Sequence, residues 1–266
     1  MEMTIPITVE QEKNIDLHER VIKNFHNARN KKIGYYEGQS QCSTMISLII
    51  LDIEAICALA KMNLIFLPTA ILISRRIFDV SMHDTWILKP DDPFEQEARW
   101  LRYAYHSKNS ELHFYEACLK SAQKKKLDQG VLLKHCQGIS EYYSSVESAL
   151  DKKTSPKKYN HTRQPPKMDD ILKEIGREDD YLIFNFGSQF AHGGILATQC
   201  FTKGYGISKE TGVFISPGDW DFCFKTTMMS ILQAGIIFLE KTHGDVSLFL
   251  PPDLKREIEG TVGVKF

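Results

Sequence analysis

Three polar residues within a mostly apolar segment have side chains that could take part in acid–base chemistry. The segment reads YLIFNFGSQFAHGG, and Asn185, Ser188 and His192 stand in it at positions i, i+3 and i+7. On a helix this spacing places all three on one face. His192 could accept or give a proton near neutral pH, while Ser188 and Asn185 orient it or bind an oxygen. The alternative is that the three side chains satisfy one another in the core, with Gly193 and Gly194 allowing close helix packing.

The common nucleotide, hydrolase and metal signatures are absent from the sequence. There is no Walker sequence and no Gly-x-Ser-x-Gly elbow, and the Gly204-Tyr-Gly206 pair lacks the third glycine and following helix of a dinucleotide site. The nine histidines form no His-Glu-x-x-His motif, and the one Glu-x-x-His spacing, Glu240 to His243, has no second copy of the kind that a di-iron site requires. The sequence therefore predicts chemistry without a metal or cofactor.

The same segment resembles the working helix of HEPN (higher eukaryotes and prokaryotes nucleotide-binding) proteins, in which an Arg precedes a His by four to six intervening residues. Asn185 and His192 have six residues between them, although Asn stands where the nuclease Arg would be. The chain is most similar to an uncharacterised bacterial HEPN-like family with an Arg-x-x-x-acid helix and an aromatic-x-x-x-Ser-x-x-x-His helix. Arg75 to Asp79 matches the first element, and Phe184, Ser188 and His192 match the second.

The resemblance extends from about Pro68 to Phe201, and it implies a helical bundle that cuts RNA without metal. It further implies a homodimer that brings two His-bearing helices together, with the ribose 2′-hydroxyl as nucleophile. Because Asn is neutral, a phosphate would need a guanidinium from elsewhere, and we expect Arg75 or Arg76 to supply it from the neighbouring helix. An equally fair interpretation is that Arg75 and Asp79 form only a helix-surface ion pair.

A second candidate contact with RNA is the basic segment between residues 151 and 167. It has three prolines and no apolar periodicity, which predicts a loop. Its cations could track a phosphate backbone, and Lys157, Lys158 and Arg163 are the residues to which we assign substrate contact, together with Arg75, Arg76 and Asp79. Most such charge runs are only solvated loops.

Composition restricts the class of protein and its compartment. A formal net charge of -1 argues against a protein that coats nucleic acid by overall charge. The six cysteines form no Cys-x-x-Cys pair and favour free thiols in the cytoplasm. Residues 42–73 are very apolar, but Asp52, Glu54 and Lys61 interrupt them, so we expect no stable membrane association.

Periodicity predicts an all-α protein, a multi-helix bundle with long antiparallel helices in a single domain, residues 1–266. The expected helices cover about 10–29, 42–62, 69–88, 93–126, 132–150, 169–175, 179–200 and 219–239. The expected remainder comprises an N-terminal helix with its connection (1–40), the basic loop (151–167), a small hairpin or irregular insertion near 203–218, and a C-terminal tail (245–266).

Two functions follow from these residues. The first is a HEPN-like, metal-independent endoribonuclease or toxin in bacterial defence or stress response. The second is a non-catalytic helical module that binds a nucleotide, a small ligand or a partner protein through the same polar pocket.

Overall fold

The protein is an all-α multi-helix bundle with one two-stranded antiparallel ribbon. A computed structural model describes residues 4–30, 36–125, 129–153, 165–203 and 210–263. Within these ranges the α-helices are α1 (Val9–Ala28), α2 (Glu37–Met62), α3 (Leu67–Leu88), α4 (Pro93–Lys124), α5 (Gly130–Lys153), α6 (Met168–Ile175), α7 (Tyr181–Ala191), α8 (Ile195–Gln199), α9 (Asp221–Lys241), α10 (Val246–Phe249) and α11 (Pro252–Thr261). Strands β1 (Thr202–Lys203) and β2 (Glu210–Thr211) form the ribbon, and 3-10 turns cover Leu64–Phe66, Glu178–Asp180 and Pro217–Trp220.

Local sequence explains where several helices begin. Asp92 caps α4 by accepting a hydrogen bond from the backbone of Phe94, and Pro93 occupies the first turn, where its missing N–H does no harm. Ser216 and Asp219 form a reciprocal capping box before α9. These starts agree with the predictions made from the sequence.

Helix α3 is the centre of the bundle. It packs against α2 and α9 along most of its length and also contacts α4, α6 and α7. Its residues Phe78, Met82 and Trp86 are almost completely buried, as is Trp220 at the start of α9. Because α3 has neighbours on several sides, adjacent residues along it face different helices.

Helices α4 and α5 pair as the predicted antiparallel hairpin. Trp100 stacks near Tyr143, with ring centroids 6.4 Å apart, and Tyr115 stacks on His135 at 5.5 Å. Residue numbers thus rise along α4 as they fall along α5. The connection between them, residues 126–128, lies outside the described residues.

Two features differ from the expectations. The predicted helix over residues 179–200 is wrong, because it is divided into a 3-10 turn, α7 and α8. Gly193 has a φ of 64°, a left-handed conformation that a glycine adopts easily and that ends α7. A C-terminal tail is expected over residues 245–266, whereas α10 and α11 fold back and bury Phe249 and Ile258.

Among the residues that the structure describes, two segments are long and apolar enough, by length and composition alone, to cross a membrane: Glu37–Met62 and Pro217–Lys241. The core helices of soluble proteins also meet this test. Of the most apolar 18-residue stretch in each segment, 72% is buried inside the fold in the second segment and only 44% in the first. Helix α2 therefore keeps a large apolar surface outside the core.

Candidate functional site between α3 and α7

A row of polar residues runs along α3 at intervals of four. Arg75, Asp79 and His83 lie one turn apart, so they share a face of the helix. Their side chains are partly enclosed, with exposed fractions of 24%, 35% and 13%. The row is where α3 meets α7 at one end and α4 at the other.

Arg75 joins α3 to α7. Its Nε donates a hydrogen bond to Ser188 Oγ at 3.2 Å, and its guanidinium carbon lies 4.5 Å from the centre of the Phe184 ring. Ser188 Oγ in turn donates to the carbonyl oxygen of Phe184 at 2.8 Å. The two motifs that carry the family resemblance, Arg-x-x-x-acid and aromatic-x-x-x-Ser, are therefore in direct contact.

Gly187 explains how α7 comes so close to α3. A Cβ at this position would lie 2.6 Å from Arg75 Cβ and 2.7 Å from Arg75 Cγ. Any larger residue would have to push the helices apart, because real Cβ atoms do not approach that closely. Because Gly187 has no side chain, the aliphatic part of Arg75 packs directly against α7, and its guanidinium reaches Ser188.

The other end of the row contains residues that sequence reasoning missed. His83 Nδ1 lies 2.8 Å from the carbonyl oxygen of Asp79 and 3.6 Å from its Oδ1, and the imidazole is 4.8 Å from the ring of Tyr103 on α4. Burial, followed by the nearby carboxyl groups of Asp79 and Asp84, raises the pKa of Tyr103 to about 12. The signal was the repeat Arg-x-x-x-Asp-x-x-x-His along α3.

His192 lies at the end of α7, not within a longer helix. Its backbone N–H bonds to the Ser188 carbonyl at 3.1 Å, and the chain then turns through Gly193 and Gly194, whose N–H reaches the carbonyl of Gln189 at 2.7 Å. The imidazole is exposed to solvent, and so is the side chain of Asn185. His192 stands one helical turn after Ser188 along α7.

Arg76, the other predicted cation, forms an ion pair with α2 and no hydrogen bond to α7 in the described structure. Its Nε donates to Asp52 Oδ2 of α2 at 2.7 Å, and Nη2 contacts Oδ1 of the same carboxylate. Asp52 is 8% exposed. Successive residues are about 100° apart around a helix, so Arg75 faces α7 while Arg76 faces α2.

Three predicted substrate contacts, Lys157, Lys158 and Arg163, lie outside the described residues. Within the described part of the chain, no three His, Cys, Asp or Glu side chains are grouped as a metal site would require. The site that the structure brings together consists of Arg75, Asp79 and Ser188, with His83 at its inner end. The exposed His192 follows Ser188 by one helical turn.

Arranged in this way, the site could bind an anion. Ser188 occupies only the Nε of the Arg75 guanidinium, so the two terminal nitrogens can donate hydrogen bonds to an oxyanion. Asp79 Oδ2 is 4.0 Å from Arg75 Nη1, beyond a good hydrogen bond, so it only partly offsets the positive charge. The exposed imidazole of His192, one helical turn after Ser188, is of a type suited to proton transfer at a bound anion.

Residues 39–203, more than half of the chain, match the sequence profile of DUF5677, a family of unknown function. The match spans α2 to α8 and includes Arg75, Asp79, Ser188 and His192. No curated protein and no solved structure matches the chain significantly.

Proposed function

The chain belongs to DUF5677, a family of unknown function, and for this member we propose a HEPN-like, metal-independent endoribonuclease or toxin that acts in bacterial defence or stress response. The supporting observation is the bond between Arg75 and Ser188, one helical turn before the exposed His192. In this proposal Arg75 supplies the positive charge that the neutral Asn185 cannot. The HEPN-like kinship and the homodimer that it implies are parts of this proposal.

The proposed reaction is transfer of a phosphodiester to the neighbouring ribose hydroxyl. The 2′-oxygen forms a bond to phosphorus, the bond from phosphorus to the 5′-oxygen breaks, and the products are a 2′,3′-cyclic phosphate and a 5′-hydroxyl. His192 removes the 2′-hydroxyl proton, and a protonated group returns one to the 5′-oxygen. In the homodimer that the resemblance implies, His192 of the second copy fills that role.

Arg75 stabilises the transition state in this proposal. Negative charge grows on the non-bridging phosphate oxygens as the 2′-oxygen attacks, and a preorganised guanidinium interacts with it without having to reorganise. The bond to Ser188 and the packing on Phe184 hold the group in place before substrate arrives. In this proposal Asn185, which is exposed on α7, binds a ribose or phosphate oxygen.

A second candidate is a module that binds a nucleotide without cutting it. It rests on the Ser188 hydroxyl, which donates its proton to the Phe184 carbonyl and accepts from Arg75, so that it holds the guanidinium in place without taking part in a reaction. The same guanidinium would then hold a nucleotide phosphate. Both candidates use Arg75, and only the first requires His192 as a base.

The test is cleavage of a 5′-labelled single-stranded RNA by the full-length protein in the presence of EDTA. We expect products that end in a 2′,3′-cyclic phosphate and no cut at a position carrying 2′-deoxyribose. His192→Ala should abolish cleavage with the helical circular dichroism unchanged. His113→Ala, which alters an imidazole 83% exposed on α4, is the matched control and should cut at the wild-type rate.

Arg75→Lys separates positioning from charge. A lysine keeps the positive charge but cannot both bond to Ser188 and grip a phosphate with two parallel donors, so we expect a rate loss of roughly 100-fold. Undiminished cleavage by His192→Ala would overturn the nuclease proposal. Absence of cleavage, combined with a nucleotide-dependent rise in melting temperature that Arg75→Lys removes, would establish the second candidate.

A further inference from the structure

Helix α2 carries an exposed apolar stripe that nothing in the described structure covers. The α2 stripe consists of Thr44, Leu48, Leu51, Ala55, Ala58 and Met62. All six residues are exposed, with 42% of Leu48, 61% of Leu51 and 69% of Met62 open to solvent. Exposure of this kind on one continuous face is typical of a surface that another molecule covers.

The spacing of the stripe is that of a coiled-coil seam. Its members follow one another at steps of four, three, four, three and four residues, which are alternating a and d positions of a heptad. The opposite face of α2, with Ile46, Ile49 and Ile53, is buried in the core of the same chain. The helix therefore has one apolar face for its own fold and a second, narrower one that is suited to another helix.

From this pattern we propose that two copies of the chain associate through α2, antiparallel about a two-fold axis between Ala55 and Ala58. In this register Ala55 of one copy packs on Ala58 of the other, and Leu51 packs on Met62. The small residues at the centre let the backbones approach closely, while the larger ones pack at either end. A two-fold pair needs only one self-complementary surface, which the stripe provides.

Charge selects this register over the neighbouring one. In an antiparallel pair each flank of a helix meets the same flank of its copy, and Glu54 and Lys61 occupy one flank of the stripe. With the axis between Ala55 and Ala58, Glu54 lies opposite Lys61 of the second copy, within about 3 Å along the helix axis, and this occurs twice. With the axis moved to lie between Leu51 and Ala55, Glu54 would oppose Glu54 of the second copy.

The surroundings of the stripe fit a protein partner better than a lipid surface. On the α3 side the stripe is bordered by the Asp52–Arg76 ion pair, with the Arg76 side chain 56% exposed. On the α1 side Lys61 Nζ bonds to Glu19 Oε1 at 2.7 Å in the single chain. Charged pairs on both edges are costly in hydrocarbon but are common beside a coiled-coil seam.

This association would leave the α3–α7 site open. Arg76 faces α2 and Arg75 faces α7, so α2 and α7 lie on different sides of α3. The proposed pairing uses a surface other than α7 and does not depend on nuclease activity. Dissociation of the charge variants tests the α2 pairing, whereas RNA cleavage by His192→Ala tests the nuclease proposal, so the two can fail separately.

A charge exchange between two variants tests the partner and the register together. Glu54→Lys leaves two basic side chains facing each other at each contact, and Lys61→Glu leaves two acidic ones, so we expect each variant alone to dissociate at least tenfold more readily than wild type. An equimolar mixture of the two variants restores both contacts, because in the mixed pair a basic side chain again faces an acidic one at each of them. Sedimentation equilibrium of the full chain should then show heterodimers.

The matched control uses α5, where Lys134 and Glu141 are also seven residues apart and exposed. Lys134→Glu and Glu141→Lys should sediment as wild type does, alone or mixed. Wild-type protein that stays monomeric at high micromolar concentration would overturn the proposal, as would singly exchanged variants that dimerise normally or a mixture that does not recover. Flotation with phosphatidylcholine vesicles that Leu51→Asp abolishes would instead identify a bilayer as the occupant.

Discussion

Arg75 and Ser188 are 113 positions apart in the chain, yet the Nε of one donates to the hydroxyl of the other at 3.2 Å. The contact holds a guanidinium between two helices that carry the family resemblance. It depends on a close approach of α7 to α3 at Gly187, directly beside Ser188. Changes at the glycine should therefore affect the site as well as the fold.

Gly187→Ala should destabilise the protein by about 1–3 kcal/mol, since the added methyl would overlap the stem of Arg75 and force α7 outward. The same variant should weaken RNA or nucleotide binding, because the guanidinium would lose its support. Urea denaturation and a binding titration measure the two effects. Gly138→Ala on α5, where no atom of the described residues lies within 4 Å of the new methyl, is the control. It should be stabilised by about 0.5–1 kcal/mol, and equal behaviour of the two variants would contradict the packing argument.

Arg76→Ala should cost about 1–3 kcal/mol because it removes the partner of Asp52, a carboxylate that is only 8% exposed. Arg76→Lys should recover only part of this, as an ammonium cannot donate two parallel bonds to the carboxylate. Arg20→Ala breaks a bidentate pair between Arg20, which is 41% exposed, and Glu257, which is 45% exposed. Because both side chains are largely in water, we expect a loss of stability under about 1 kcal/mol. Thermal and urea unfolding of the three variants would rank them, and a larger loss for Arg20→Ala would contradict the role given to burial.

His18 should make the protein less stable as the pH falls below neutrality. The imidazole is buried between the Asn14 carbonyl and the Thr227 hydroxyl, and burial lowers its pKa from 6.5 to about 4. The unfolded chain takes up a proton at higher pH than the folded one, so stability is complete above pH 6.5 and is lost as the pH falls toward 4. The loss amounts to about 3 kcal/mol at most.

The measurement for His18 is the free energy of unfolding in urea at pH 7 and pH 5. His18→Gln cannot titrate and should lose less stability between these two values than wild type does. His113→Gln, at an exposed position, should follow the wild-type slope. Identical slopes for His18→Gln and wild type would show that the buried imidazole is not responsible.

Asp84 should have the opposite influence on pH dependence. Its side chain is fully buried on α3, where no N–H or hydroxyl group of the described residues donates to either carboxylate oxygen, and burial raises its pKa well above 3.8. The folded state therefore holds its proton to higher pH than the unfolded state does, and stability contributed by the protonated form is lost as the pH rises. Asp84→Asn, which stays neutral, should be more stable than wild type at pH 8 but not at pH 4. A stability difference that is the same at both values would argue that the carboxyl is not titrating in the fold.

Local sequence was sufficient for most of the helices. The four-residue recurrence of Leu17, Val21 and Phe25 defined α1, and Asp92 with Pro93 defined the start of α4, because periodicity and capping act over a few neighbouring residues. The end of α7 could not be predicted in the same way. A glycine pair within an apolar run is compatible with a continuous helix or with a break, and the left-handed backbone of Gly193 decides between them.

The sequence by itself determined that the chain is helical, and it gave Arg75, Asp79, Ser188 and His192 only as candidates for a site. Only the tertiary structure decided that Arg75 turns to Ser188 while Arg76 turns to Asp52, and that His83 and Tyr103 extend the row. The physical reason is that helix periodicity fixes the angle between two side chains on α3 but contains no information about which helix lies on each side. That arrangement arises from packing between segments far apart in the chain, and Gly187 sets how close they come.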